Sequence, residues 1–242
     1  MEQAEYDAMY RLEDSMWWYG GLRLLVCDLI TGAGMRSGPL LDVGCGTGGM
    51  LRVLCERFGD QLCAGLEYDP GAARLAASKS GAPVATASIH ALPLGTGTAV
   101  ALTCLDVLPH AAVDPPLALK ELQRCLGSGG ILVLNVPAYR WMLSAHDRRV
   151  HNVRRFGRGE LQAMLSQAGL RVVRIGHWNS FLFPLMALRR LLARADTGSD
   201  VRPYPALLNR LFLAIIGFER WLIRRGVDLP FGGSIVAVAV KD

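Results

Sequence analysis

Hydrophobic residues along this chain fall into short continuous runs separated by amphipathic stretches, the alternation expected of strands and helices taken in turn. The runs PLLDV (residues 39–43), QLCAGLEY (61–68), PVATAS (83–88), AVALTCL (99–105), ILVLNVP (131–137), LRVVRIG (170–176) and SIVAVAV (234–240) read as strands. Among them, GGMLRVLCERFG reads as a helix, a second runs from Pro70 to just before Gly81, a third from Pro115 to GSGG at 127–130, and a fourth from Arg158 to Ala168, where Gly169 stops it. Strands that are apolar throughout, rather than at alternate positions, are buried on both faces. The pattern therefore predicts an α/β chain with a doubly wound, seven-stranded, mostly parallel sheet covered by helices on both sides.

The rhythm breaks after residue 176. Residues 177–233 hold two apolar helical candidates, FLFPLMALRRLLARA and PALLNRLFLAIIGFERWLIRR. Neither reaches the ~20 apolar residues that a bilayer-spanning helix needs. In the second, the apolar core LFLAIIGF is bounded by Asn209, Arg210, Glu219 and Arg220. Such a helix packs as a cap or a dimer contact, or lies in a membrane surface with Arg220, Arg224 and Arg225 at its polar end. Peripheral membrane contact through residues 181–225 and a homodimer both stay open. The chain reads as one domain over 1–242, with an N-terminal helical lid (1–36), a core (37–176), a helical insertion (177–233) before the last strand, and that strand (234–242).

Composition changes this picture little. A 242-residue chain that is 51% apolar can bury one substantial core. The six cysteines form no CxxC pair and several sit in apolar runs, which favours reduced thiols. The acidic opening MEQAEYDAMYRLED lacks the basic and apolar regions of a signal peptide, so a cytoplasmic location is expected. The net charge of +5 is unevenly held: residues 1–145 carry ten Lys/Arg against fourteen Asp/Glu, and residues 146–242 carry sixteen against seven. A basic second half fits an anionic substrate, an acidic membrane face or nucleic acid, or simply solvated helix faces.

The chemistry concentrates in LLDVGCGTGG, where Asp42 ends a strand and Gly44, Gly46, Gly48 and Gly49 turn the chain into a helix. Gly44, Gly46 and Gly49 also satisfy the dinucleotide fingerprint GxGxxG, so the glycines alone do not identify the ligand. Asp42 would repel a pyrophosphate but suits a cationic ammonium group. Glu67, which ends the second strand, can accept from a ribose diol. As a set, DVGCGTGG, GLEYDP, LPLGTGTAVALTCLDVLPH and LGSGGILVLNVP resemble the class I S-adenosylmethionine-dependent methyltransferases across residues 40–137.

That resemblance implies S-adenosylmethionine as methyl donor and S-adenosylhomocysteine as product. It implies that Asp42, the loop Gly44, Cys45, Gly46 and Gly48, and the backbone at Leu105 hold the amino-acid end, that Glu67 holds the ribose, and that Tyr68 lies beside the adenine. In ASIHALP, Ser88 stands where the family has an acid for the adenine amino group, and Ile89 where a side chain packs on the ring. EDSMWWYGGLR resembles a helix that precedes the core in one branch of these enzymes, which implies Trp18 near the sulfonium and Arg23 on the cofactor carboxylate.

The implied activity is methyl transfer by in-line displacement to an O, N or C atom of a small or lipid-linked acceptor. Ligands in open α/β sheets bind beyond the carboxyl ends of the strands. His110 after the fourth strand, and His146 and His151 after the fifth, are therefore candidate bases. HDRRVHNVRRFG (146–157) also admits other readings. His146, Asp147 and His151 as metal ligands are disfavoured by their adjacency on one segment and by the lack of a second acidic cluster, so no metal site is expected. Arg148, Arg149, Arg154, Arg155 and Arg158 suggest nucleic acid, against which stand the absence of a recognition domain and of an NPPY-like motif. The remaining alternatives are a non-catalytic cofactor-binding scaffold and a nicotinamide oxidoreductase.

Overall fold

In the computed structural model, which describes residues 3–192, 201 and 203–242, all seven expected strands form. They are β1 (Leu40–Val43), β2 (Cys63–Glu67), β3 (Val84–Thr86), β4 (Ala99–Leu105), β5 (Leu126–Pro137), β6 (Leu170–Trp178) and β7 (Ser234–Lys241). They make one sheet in the order β3-β2-β1-β4-β5-β7-β6. β1 to β5 pair in parallel, and β7 runs antiparallel to both β5 and β6. Burial explains why the last strand enters between two earlier ones. SIVAVA is buried at every position, whereas LRVVRIGHW exposes Arg171 and leaves Val173 half exposed. An all-apolar strand takes an interior place and the arginine-bearing one takes the edge.

The helices are α1 (Gln3–Leu12), α2 (Trp17–Gly32), α3 (Gly49–Arg57), α4 (Pro70–Ser80), α5 (Pro115–Cys125), the short α6 (Ala145–Arg149), α7 (Arg158–Gln167), α8 (Phe183–Leu192) and α9 (Ala206–Arg224). The sequence boundaries of α4 and α5 hold because their caps are local. Asp69 and Asp114 accept from the backbone N–H of Ala72 and Leu117, and a proline follows each cap. The GSGG segment is not the turn it resembles. β5 already begins at Leu126, and because Ala99 pairs with Leu126 while Ala101 pairs with Ile131, GSGG forms a bulge inside the strand. The end of the first insertion helix candidate, residues 193–195, lies outside the described residues, as do residues 1, 2, 196–200 and 202.

α5 and α7 close one face of the sheet around Leu119, Leu122 and Leu161, while α2, α3 and α9 close the other around Ile30, Leu51 and Ile216. The two glycines of MWWYGGLR let α9 approach α2 closely. A Cβ on Gly20 would meet Leu213 at 3.4 Å, and one on Gly21 would meet Ile216 Cγ2 at 2.5 Å. Asn209 of α9 accepts from Trp17 N–H at 2.8 Å and donates to Ser15 O at 2.7 Å, so the insertion caps the N-terminus of α2. Glu219, buried in the same helix, accepts from the N–H groups of Ser180 and Phe181 at the end of β6. Burial pushes its carboxyl up.

Candidate active site

The carboxyl ends of β1, β2, β4 and β5, together with α1, the start of α2 and the segment after β5, enclose a cavity of about 970 Å³. Its volume is at the upper end of ligand clefts, about 300 to 1,000 Å³. Asp42, Gly44, Cys45, Gly46, Glu67, Tyr68, Ser88, Ile89 and Leu105 all line it, and so do Trp18, Arg23, His110, His146 and His151. Gly48 is not among the lining residues. It caps α3 with φ +89°, pressed against the backbone of Ala76 in α4.

Asp42 is 2% exposed. Its Oδ1 accepts from Thr103 Oγ1 at 2.6 Å, while its Oδ2 has no hydrogen-bond partner among the described residues. Burial pushes the carboxyl up to about 7, against the Thr103 bond and aided by the nearby charges of Glu67 and Glu13. A buried acceptor without a partner on a cavity wall is costly unless a ligand completes it. Glu67 accepts from Gly46 N–H at 2.8 Å, Asp69 N–H at 3.0 Å and Tyr6 Oη at 3.4 Å. It thereby ties the glycine loop to the end of β2 and to α1.

The chain N-terminal to the core contributes more than its paired aromatics. α1 brings Glu5, Tyr6 and Met9 to the cavity, and Met9 lies against Gly46. Glu13 accepts from Arg23 Nη2, Thr47 Oγ1 and Lys79 Nζ, each at 2.6 Å, and fastens α2 to the glycine loop and α4. Arg23, expected on a cofactor carboxylate, therefore has its charge matched by Glu13 and by Asp14 at 3.2 Å. The Arg23–Glu13 pair fills the space where a Cβ on Gly49 would stand. That glycine serves the protein's own packing. Trp18 meets Tyr19 at 5.1 Å and Trp178 at 5.7 Å between ring centroids.

A family model for a methyltransferase domain matches residues 41–134. The ubiquinone biosynthesis O-methyltransferase of Pseudomonas aeruginosa is 30% identical over 157 residues, which span 58% of this chain and 67% of that one. The chain belongs to the class I S-adenosylmethionine-dependent methyltransferases. Its strand order is that family's order. An uncharacterized protein of Methanocaldococcus jannaschii is 23% identical over 175 residues, 69% of this chain and 66% of that protein. The chain thus spans about two thirds of each of these relatives. Geranyl diphosphate C-methyltransferase from Streptomyces coelicolor A3(2), solved with Mg2+, geranyl diphosphate and S-adenosylhomocysteine, has the same fold at a TM-score of 0.58 and 16% identity, covering 88% of this chain and 75% of that one.

In this methyltransferase the segment HDRRVHNVRRFG folds into the short helix α6 and an irregular return held by isolated bridges at Asn152 and Phe156. Asp147 forms a capping box with Ser144 and pairs with Arg155 at 3.0 Å. Burial alone would raise its carboxyl, but Arg155 and Ser144 hold it below the usual range. The segment joins the loop after β4 through a bridge between His110 and Asn152 and a bond from Ala111 N–H to His151 O. Most of the arginines that suggested nucleic acid are engaged within the fold. Arg154 donates to Val113 O at 2.5 Å, Arg149 lies 3.7 Å from Glu5, and Arg158 pairs with Asp228 at 2.6 Å. This removes much of the charge on which a nucleic-acid reading rests.

An acidic residue beyond β4 joins those of α1 among the cavity residues not singled out from the sequence. Asp106 follows β4 with φ +57°, a conformation costly for a residue other than glycine. Its Oδ2 accepts from Asn135 Nδ2 at 2.8 Å, and Asn135 Oδ1 in turn accepts from Trp178 Nε1 at 2.6 Å, a relay across β4, β5 and β6. Burial pushes the Asp106 carboxyl up to about 7. His110, by contrast, is pushed down to about 4 by burial. The only local signal for Asp106 is a lone acid at the end of an apolar strand.

Proposed function

We propose that the cavity binds S-adenosylmethionine at its glycine-loop end and delivers the methyl group to a small or lipid-linked acceptor that is apolar in body and anionic at one end. The observation that carries the cofactor assignment is the unpartnered, buried Asp42 Oδ2, which fits a donor with a cationic ammonium group and no pyrophosphate. Glu67 has lone pairs left for a ribose diol beyond the bonds it already accepts. Tyr68, Ser88 and Ile89 suit the adenine, the backbone at Leu105 the amino-acid end, and Trp18 the neighbourhood of the sulfonium. When bound, the donor supplies an electrophilic methyl group. Arg148, Arg189 and Arg190 line the cavity with Trp141, Leu143 and Met186, and although Arg190 also lies 3.5 Å from Asp147 and donates to Met142 O, this basic and apolar lining supports an acceptor with a negative group on an apolar body. The Streptomyces and Pseudomonas enzymes, named for an isoprenoid diphosphate and for O-methylation, are consistent with that chemistry.

A hydroxyl acceptor must lose a proton. Asp106 suits this task better than His110, because a base works best with a pKa near the working pH. Asn135 holds the carboxylate, Trp178 holds Asn135, and His146 and His151 then orient the acceptor. Asp106→Asn is expected to leave S-adenosylhomocysteine affinity within about threefold while slowing transfer to a hydroxyl acceptor by about 10² to 10⁴. Calorimetry and transfer of labelled methyl groups to extracted metabolites and lipids measure the two effects. The decisive test of the overall reading is equilibrium binding of S-adenosylmethionine, S-adenosylhomocysteine and NAD. Binding of NAD with none of the sulfonium pair would overturn it.

The proton held by Asp42 gives a second test. Below about pH 7 the free carboxyl is largely protonated, and an ammonium ligand needs it ionised. Binding of S-adenosylhomocysteine near neutrality should therefore release a proton, and affinity should rise as pH climbs from about 5 to about 8. Calorimetry in buffers of different ionisation enthalpy reads this release, which Asp42→Asn should abolish.

A further inference from the structure

We propose that the outward face of α9 docks on an anionic lipid bilayer. α9 is apolar on two faces. One holds Ile216 and Ile223 and packs inward. The other carries Leu207, Leu211, Phe218 and Trp221, spaced by four, seven and three residues along a single stripe, at 83%, 54%, 54% and 45% exposure. A solvated helix face would carry polar side chains at those positions. Phe181, 48% exposed in the turn before α8, adds to the stripe, with its ring 5.8 Å from Phe218.

The charges bordering the stripe select the occupant. Arg210, Arg224 and Arg225 are exposed around it, and the Arg225 guanidinium lies 3.8 Å over the Trp221 ring. The single acid of α9, Glu219, is 1% exposed and bonded to backbone N–H groups, and α8 carries no acid. Asp28, across on α2, already pairs with Arg220 at 2.5 Å and lies 4.0 Å from Arg224. Aromatic and leucine side chains beside arginines match the interface of an anionic bilayer, where rings sit at headgroup depth and cations meet lipid phosphates. A second copy docked by the same face would set these arginines against their own equivalents. α8, which begins two residues after Phe181, lends Arg189 and Arg190 to the cavity wall, so the docking face adjoins a cavity-lining helix.

The test uses the full chain without cofactor, so its outcome is independent of the methyl-transfer reading. It is sedimented with vesicles of phosphatidylcholine alone and of phosphatidylcholine mixed with phosphatidylglycerol. The expected result is co-sedimentation with the mixed vesicles only, weakened by salt. Phe218→Ser combined with Trp221→Ser should reduce it to background. Arg224→Ala combined with Arg225→Ala should weaken it roughly thirtyfold, the loss expected for two cations at an anionic surface. Unchanged thermal unfolding of both variants checks that the exposed side chains were not holding the fold. Wild-type protein left in the supernatant, equal binding to both vesicle types, or undiminished binding of the Phe218 and Trp221 variant would each overturn the proposal. So would a wild-type dimer that Trp221→Ser makes monomeric and that binds no vesicle, because the face would then belong to a second copy.

Discussion

Asp42→Asn is expected to weaken S-adenosylhomocysteine binding roughly 30- to 4,000-fold, the equivalent of about 2 to 5 kcal/mol for removing one partner of a buried charge pair. The substitution is close to isosteric. Its amide oxygen can keep the hydroxyl bond from Thr103, which leaves an NH₂ group at the position of the unpartnered Oδ2. A donor then faces the ammonium group of the ligand. The fold should not suffer. Because burial raises the folded-state pKa of Asp42 from 3.8 to about 7, the folded protein holds a proton across that window that the unfolded chain releases. Stability contributed by this group therefore falls as pH rises from about 4 to about 7. Asparagine removes that dependence, so the variant should unfold at an equal or higher temperature than wild type at pH 8. Lost affinity together with a lower unfolding temperature would point instead to a damaged fold.

Gly48→Ala is the substitution expected to harm the fold most. At φ +89° an alanine carries the left-handed penalty of about 1 to 2 kcal/mol. Its Cβ would also stand 2.6 Å from Ala76 Cα and 2.7 Å from Ala76 O, backbone atoms in the middle of α4 that cannot swing aside. Overpacking of this kind adds about 1 to 3 kcal/mol. A comparison variant separates the two contributions. Gly81 has φ +70° with nothing within 4 Å of an added Cβ, so Gly81→Ala should show the conformational penalty alone. Urea unfolding should give a much lower midpoint for Gly48→Ala than for Gly81→Ala, with slopes unchanged. Equal midpoints would mean that α4 yields at this contact.

The sheet and most of its helices were legible because their signals are local. An all-apolar strand, an Asp-Pro helix start and a terminating glycine each act within a few residues. That Asp42, the glycine loop and Glu67 would come together was legible for a related reason, since they sit on two adjacent strand ends and the loop between, and they line one cavity. The N-terminal lid was expected to be helical, but α1 was not read as a cavity wall, although Tyr6 and Met9 share one of its faces. That face becomes meaningful only when Met9 meets Gly46 and Tyr6 meets Glu67. Asp106 was not weighed beside the histidines, because the setting of its carboxyl depends on Asn135 twenty-nine residues away and on Trp178 beyond it.

The sequence by itself determined the layered α/β architecture, the order of elements, and the family, because strand burial, helix caps and the glycine turn are set by neighbouring residues. The tertiary structure alone decided that β7 enters between β5 and β6, that Gly48 and Gly49 serve packing, and that Arg23 answers Glu13. It also braced HDRRVHNVRRFG on Asp147 along the cavity, and left the outer face of α9 apolar. Those outcomes depend on which distant side chain a charge or a ring meets, and partners brought together by folding carry no signature at either end of the contact.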